Sequence, residues 1–112
     1  MATYTKVDLP LYSDAFYSYQ VSLEGQGYIV EIKYNERAET WYMSLFDQDN
    51  NPIVQGIALV PRFPILKDYV IPNMTGFFWL APIPSVKTEK YKENPEHLDQ
   101  YYVLQYIYNF VE

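Results

Sequence analysis

No cysteine occurs anywhere in the 112 residues. That excludes disulfide scaffolding, thiol nucleophiles and the common structural zinc sites. One histidine is present, His97, beside Glu96 and Asp99 in a polar stretch. No second imidazole completes a metal set or a Ser-His-Asp arrangement, so His97 reads as a solvated loop residue. Cations are scarce, with eight Lys and Arg against fourteen Asp and Glu and a formal charge of −6. Phosphate backbones need clustered positive charge, so this balance argues against nucleic acid. It argues against anionic membrane surfaces for the same reason. No window reaches the roughly 18 apolar residues of a membrane span. The N-terminal MATYTKVDLPLYSD has no apolar core of signal-peptide length. The expectation is one soluble domain, residues 1–112, made in a cytoplasm and large enough for a modest core.

Catalytic signatures are missing too. There is no GxGxxG, no P-loop and no GxSxG. Asp47, Asp49 and Asn51 alternate as calcium ligands do, but Pro52 stands where an EF-hand loop needs glycine, so a hairpin turn is the better reading. No enzyme activity, catalytic residue, cofactor or metal is expected.

What the chain has in excess is aromatic residues: thirteen Tyr, six Phe and two Trp, 19% of the chain. These favour pleated, half-buried surfaces, and tyrosine also favours interfaces. Tyr12, Tyr17, Tyr19, Phe63, Tyr69, Tyr91 and Tyr102 are the candidate interface residues. The cluster Tyr12, Tyr17 and Tyr19 could instead form a stacking platform for sugar rings, which makes a carbohydrate-binding β-module the alternative function.

Apolar residues recur with period two almost throughout. In AFYSYQVSL, residues 15–23, Tyr17, Tyr19, Val21 and Leu23 share one face. Glu24 to Gly27 supply turn residues, and YIVEIKY, residues 28–34, answers with Tyr28, Val30, Ile32 and Tyr34. Thr40–Phe46 is a third strand with Trp41, Met43 and Leu45 aligned. DQDNNP turns the chain into Ile53–Val60, where Gly56 marks a bulge or a close backbone approach. Pro61, Pro64 and Pro72 argue against a long central strand between them. Met74–Ala81 is a fifth strand, apolar on both faces, and is therefore buried fully or on one side by a partner. Tyr101–Val111 is the last strand, with Tyr102, Leu104, Tyr106, Tyr108 and Phe110 on one face. No helix is expected beyond a turn near Glu96. The fold class is all-β: a small antiparallel β-sandwich or partly closed β-barrel with one long charged loop. Residues 1–14 are expected as an extended arm and 82–100 as an exposed loop.

The order of motifs resembles a known family. Leu9-Pro10-Leu11 leads towards a strand, and a G-x-x-Y-hydrophobic hairpin follows at Gly25–Val30. Trp41-Tyr42-Met43-Ser44-Leu45 matches W-Y-hydrophobic-polar-Leu. Pro52 to Pro61 matches P-[ILV]-x-x-G-[ILV]-x-L-V-P, the most specific part. His97-Leu98-Asp99 stands where an Asp-Leu-Gly precedes the final strand. Residues 7 to 111 are in this sense similar to the baseplate plug proteins of contractile-tailed phages, of the cyanophage type. Departures are Asn50-Asn51 for Asp-Gly, Arg62 for a glycine, and the long charged segment 82–100.

The resemblance implies a compact, non-enzymatic all-β virion component in the tail baseplate, assembled in the host cytoplasm. Its partners would be the hub, the spike and the tail-tube end or tape measure, with several copies per assembly and neither nucleic acid nor membrane. Trp41, Pro52, Gly56 and Pro61 would be its structural signature. The polar or proline-broken segments 1–14 and 82–100 would make intersubunit contacts.

Overall fold

A computed structural model describes residues 3–61, 64–66 and 74–111. Among these residues, seven strands form two antiparallel sheets. β1 (Thr3–Leu9), β7 (Tyr102–Val111) and β6 (Phe77–Pro82) make one sheet in that order. β2 (Phe16–Leu23), β3 (Gln26–Asn35), β4 (Thr40–Asp47) and β5 (Pro52–Ala58) make the other, a plain meander. The sheets contribute to one core and do not close into a barrel, so the sandwich alternative is the one realised.

The period-two rows explain the core. Leu23, Val30, Ile32, Trp41, Met43 and Leu45 face inward from the meander. Leu9, Phe78, Leu80, Leu104 and Tyr106 meet them from the other sheet. Each fully buried large apolar side chain stabilises by about 1.5–3 kcal/mol relative to exposure, so this shared layer dominates the energetics.

Turn chemistry sets the register. Glu24 and Gly25 both have positive φ, +53° and +80°, and Leu23 pairs with Gln26. That is a two-residue mirror-image turn, tighter than the four turn residues suggested. At the next hairpin Asp47 Oδ1 accepts from the amides of Asp49 and Asn51, both at 2.9 Å. Asn50 there takes φ +66°. Gly56, at φ +68°, sits where the β4–β5 register shifts, and its amide donates to Ser44 Oγ at 3.1 Å. The expected bulge is present, and a hydroxyl accepts from its amide.

Two expectations are refined. Half of the segment expected as an N-terminal arm, Thr3–Leu9, is strand β1, with Lys6 opposite Ile107 and Leu9 opposite Leu104. Leu9 is 1% exposed. The alternation of Lys6 and Asp8 with Val7 and Leu9 suits a half-buried strand, but its partner lies at the far end of the chain. Residues 82–100, expected as an exposed loop with a turn near Glu96, are mostly surface residues but are packed down onto the sandwich. They form 3₁₀ turns at Thr88–Glu93 and Pro95–His97, then the short helix α1, Leu98–Tyr101. Leu98 is 1% exposed, Ile83 N–H donates to Tyr101 O at 3.0 Å, and Trp41 Nε1 donates to Pro95 O at 2.8 Å. Among the described residues, no helix is long and apolar enough to cross a membrane.

Candidate functional site

Three candidates come together at one rim of the sandwich. Tyr17 and Tyr19 are alternate residues of β2, so both rings fall on its inner face. Their centroids lie 6.3 Å apart and nearly parallel. Tyr12, just before β2, stands edge-on to Tyr17 at 5.0 Å and to Tyr19 at 6.3 Å. Its amide donates to Tyr17 Oη at 2.9 Å. The stack continues inward through Trp41, 6.5 Å from Tyr17, to Tyr34, 5.0 Å from Trp41. Burial pushes the Tyr17 phenol up to about 12 and raises that of Tyr19 as well. The rings therefore cover one another, and of the three only Tyr12, at 49%, is substantially exposed.

Tyr91 and Tyr102 form a second cluster, 5.4 Å apart and edge-on, with Tyr101 5.9 Å from Tyr91. Burial pushes the Tyr91 phenol up to about 12, with smaller contributions from Tyr34 and Tyr102. Tyr102 is only 7% exposed and is core rather than surface. Phe63 and Tyr69 lie outside the described residues.

Of the signature residues, Trp41 is buried and fastens the 82–100 layer to the meander. Pro52 opens β5 opposite Phe46, Gly56 forms the bulge, and Pro61 follows the strand in a turn. Pro52, Gly56 and Pro61 shape or terminate backbone, whereas Trp41 acts through its side chain. His97 Nε2 lies 3.5 Å from Glu96 Oε1 in a half-exposed pair. Among the described residues no cluster of three or more His, Asp or Glu could hold a metal ion.

Two features lie beyond the expected set. The first is the outer face of the β1–β7–β6 sheet. Trp79, Val103 and Ile107 line a groove of about 500 Å³ with Tyr4, which is 50% exposed. Its signal was visible: Met74–Ala81 is apolar on both faces, yet only Phe78 and Leu80 enter the core.

The second feature is a polar clasp between the sheets. Glu24 Oε2 accepts from Tyr106 Oη at 2.5 Å and from the Thr75 amide at 2.8 Å, and Oε1 accepts from Thr75 Oγ1 at 2.6 Å. Tyr106 Oη in turn accepts from the Gly76 amide at 3.0 Å. Desolvation opposes the Glu24 charge, but the bonds from Thr75 and Tyr106 outweigh it and hold the carboxyl below its ordinary value. Gly76 is required here, because a Cβ would lie 2.0 Å from Ile107 O. Nothing in the spacing of Glu24, Thr75 and Tyr106 announces this contact.

The described residues thus present a tyrosine rim and a sheet face on which Trp79, Val103 and Ile107 lie beside Lys6, Asp8 and Gln105. A family profile described as "Cyanophage baseplate Pam3 plug gp18" matches residues 7–109. The chain belongs to this family of phage baseplate plug proteins. It is a structural component of the phage tail baseplate. No curated protein matches it. Membership implies association with other baseplate components in the virion tail. It also accounts for a small sandwich whose informative chemistry is packing.

Proposed function

We propose that this protein is a non-enzymatic plug that packs against the central hub and spike where they meet the end of the tail tube. The observation that carries the reading is the family match over residues 7–109. The surface supports it: an aromatic rim at Tyr12 and a second apolar face around Tyr4 and Trp79 are suited to anchoring a neighbour. Candidate neighbours are the hub, the spike, the tube end and the tape measure. Several copies related by the tail axis would fill the lumen. Assembly takes place in the host cytoplasm.

Segments 1–14 and 82–100 remain the proposed contact surfaces, and the fold says which of their side chains face outward. Half of segment 1–14, Thr3–Leu9, is built into the sheet, so its outward Tyr4 row would touch partners. In 82–100 the outward charged side chains do so, including Lys87, Lys90 and Lys92, while Leu98 holds the layer down. Quantitative mass spectrometry of purified virions and isolated tails tests the proposal. A low fixed ratio to the hub, in multiples of the hub symmetry, is the expected result. Presence only in the infected-cell lysate would overturn it.

A further inference from the structure

A sandwich of two open sheets has four strand edges, and three of these are blunted. β1 carries Lys6 and Asp8 and a register shift between Thr3 and Thr5. β5 opens on Pro52 and is bulged at Gly56. β6 is bridged by Ile65 at Phe78 and ends in Pro82. Charges, prolines, bulges and cover are the devices that keep an edge from pairing with another chain. Among the described residues, the fourth edge, β2, has none of them. Its eight residues FYSYQVSL contain no charge and no proline, and its register against β3 runs unbroken from Phe16–Lys33 to Leu23–Gln26.

The register says which backbone groups are left over. Leu23 and Gln26 close a two-residue turn and so form a hydrogen-bonded pair. Alternation then makes Val21–Tyr28, Tyr19–Val30 and Tyr17–Ile32 hydrogen-bonded pairs as well. The Tyr34 amide, which donates to Ala15 O at 2.8 Å, continues the series. The N–H and C=O of Phe16, Ser18, Gln20 and Ser22 therefore point away from β3. No described residue hydrogen-bonds to them. Beside them lies a groove of about 450 Å³ floored by Gln20, Ser22, Gly27 and Gln48. The Gln48 amide lies across Gly27, where a Cβ would come within 2.1 Å of its nitrogen.

We propose that β2 is a strand-addition site. An extended segment of another tail protein pairs with it and continues the β2–β3–β4–β5 sheet. The inference rests on the baseplate reading above. The edge dictates the partner's chemistry. Its backbone bonds Phe16 to Ser22, its inward side chains are apolar to cover Tyr17, Tyr19 and Val21, and its outward ones are small or polar to lie beside Ser18 and Gln20. A second copy fits poorly. The antiparallel self-pairing that places Phe16 opposite Ser22 brings Asp14 opposite Glu24 at both ends, between chains that each carry −6. The same acids favour an incoming strand flanked by Lys or Arg.

The test combines amide exchange with an edge variant. Deuterium exchange over residues 16–23 is compared between the free full-length chain and purified tails containing it. Fast exchange at Ser18, Gln20 and Ser22 in the free chain, slowed about 100-fold in tails, is expected. Gln20→Pro removes one outward N–H and spares the β3 ladder, so it should melt like wild type and be excluded from tails. Should Gln20→Pro not fold, Ser18→Lys places a charge on the same edge, and the wild-type exchange result stands alone. Equal exchange in the free chain and in tails, or normal incorporation of the folded variant, would overturn strand addition. Protection already present in the free chain would assign the edge to the chain's own residues, and a dimer of the free chain dissolved by Gln20→Pro would assign it to a second copy. Either result also overturns the proposal. Absence of the wild-type chain from tails would instead refute the plug reading itself.

Discussion

Replacing Glu24 with Gln isolates the charge of the clasp that joins the two sheets. The volume is kept, but one carboxylate oxygen becomes an NH₂ that faces the donors Thr75 and Tyr106. Hydrogen bonds to a charged acceptor contribute about 1.5–3 kcal/mol, and the site is half-exposed, so a loss of about 1–2 kcal/mol is expected. For a chain of this length that corresponds to a fall in Tm of roughly 4–8 °C. The pH dependence makes the test specific. The folded carboxyl titrates below its unfolded value. Its contribution is therefore present above the unfolded pKa and is lost as pH falls through the folded one. The Tm gap between wild type and Glu24→Gln should be constant near neutrality and close below about pH 4. Melting followed by circular dichroism from neutral pH to about pH 3 reads both values. No gap at neutral pH, or an equal gap at the acid end, would refute the reasoning. Tyr106→Phe should show non-additivity with Glu24→Gln, because both remove the same bond.

Gly76→Ala should cost about 1–3 kcal/mol or more, since its Cβ meets Ile107 O, whereas Gly25→Ala meets no atom and should cost only the left-handed strain of about 1–2 kcal/mol; chemical denaturation of both variants checks the order. Leu98→Ala should destabilise by about 2–5 kcal/mol, although the residue lies in a segment that reads as exposed loop, and an effect under about 0.5 kcal/mol would show that the layer does not pack. Trp41→Phe removes the bond to Pro95 O and should speed amide exchange across residues 88–101 more than in β3; uniform acceleration would contradict the anchoring role. Burial raises the phenols of Tyr17, Tyr19, Tyr91 and Tyr106, so their contribution is complete below about pH 10 and is lost as pH rises towards 12 and beyond. Phenolate absorbance and unfolding should then rise together; full tyrosine titration before unfolding would count against it.

Strands β2, β3 and β4 with their two turns follow from sequence alone. Side-chain alternation and positive-φ turn residues are local properties, and a hairpin joins neighbours in the chain. The same holds for the bulge at Gly56. The motif order from Trp41 to Pro61 also pointed to the plug family before any coordinates. Tertiary structure alone decided the rest. Thr3–Leu9 became a strand only because β7, a hundred residues away in sequence, offered an edge in register. Residues 82–100 became a packed layer through two small anchors, Leu98 and the Trp41 indole, inside a stretch dominated by charge. The Glu24–Thr75–Tyr106 clasp joins residues from three distant segments, and no local pattern encodes such a meeting. The open β2 edge is likewise a property of the assembled sheet, because whether a strand ends a sheet depends on every other strand having found its place.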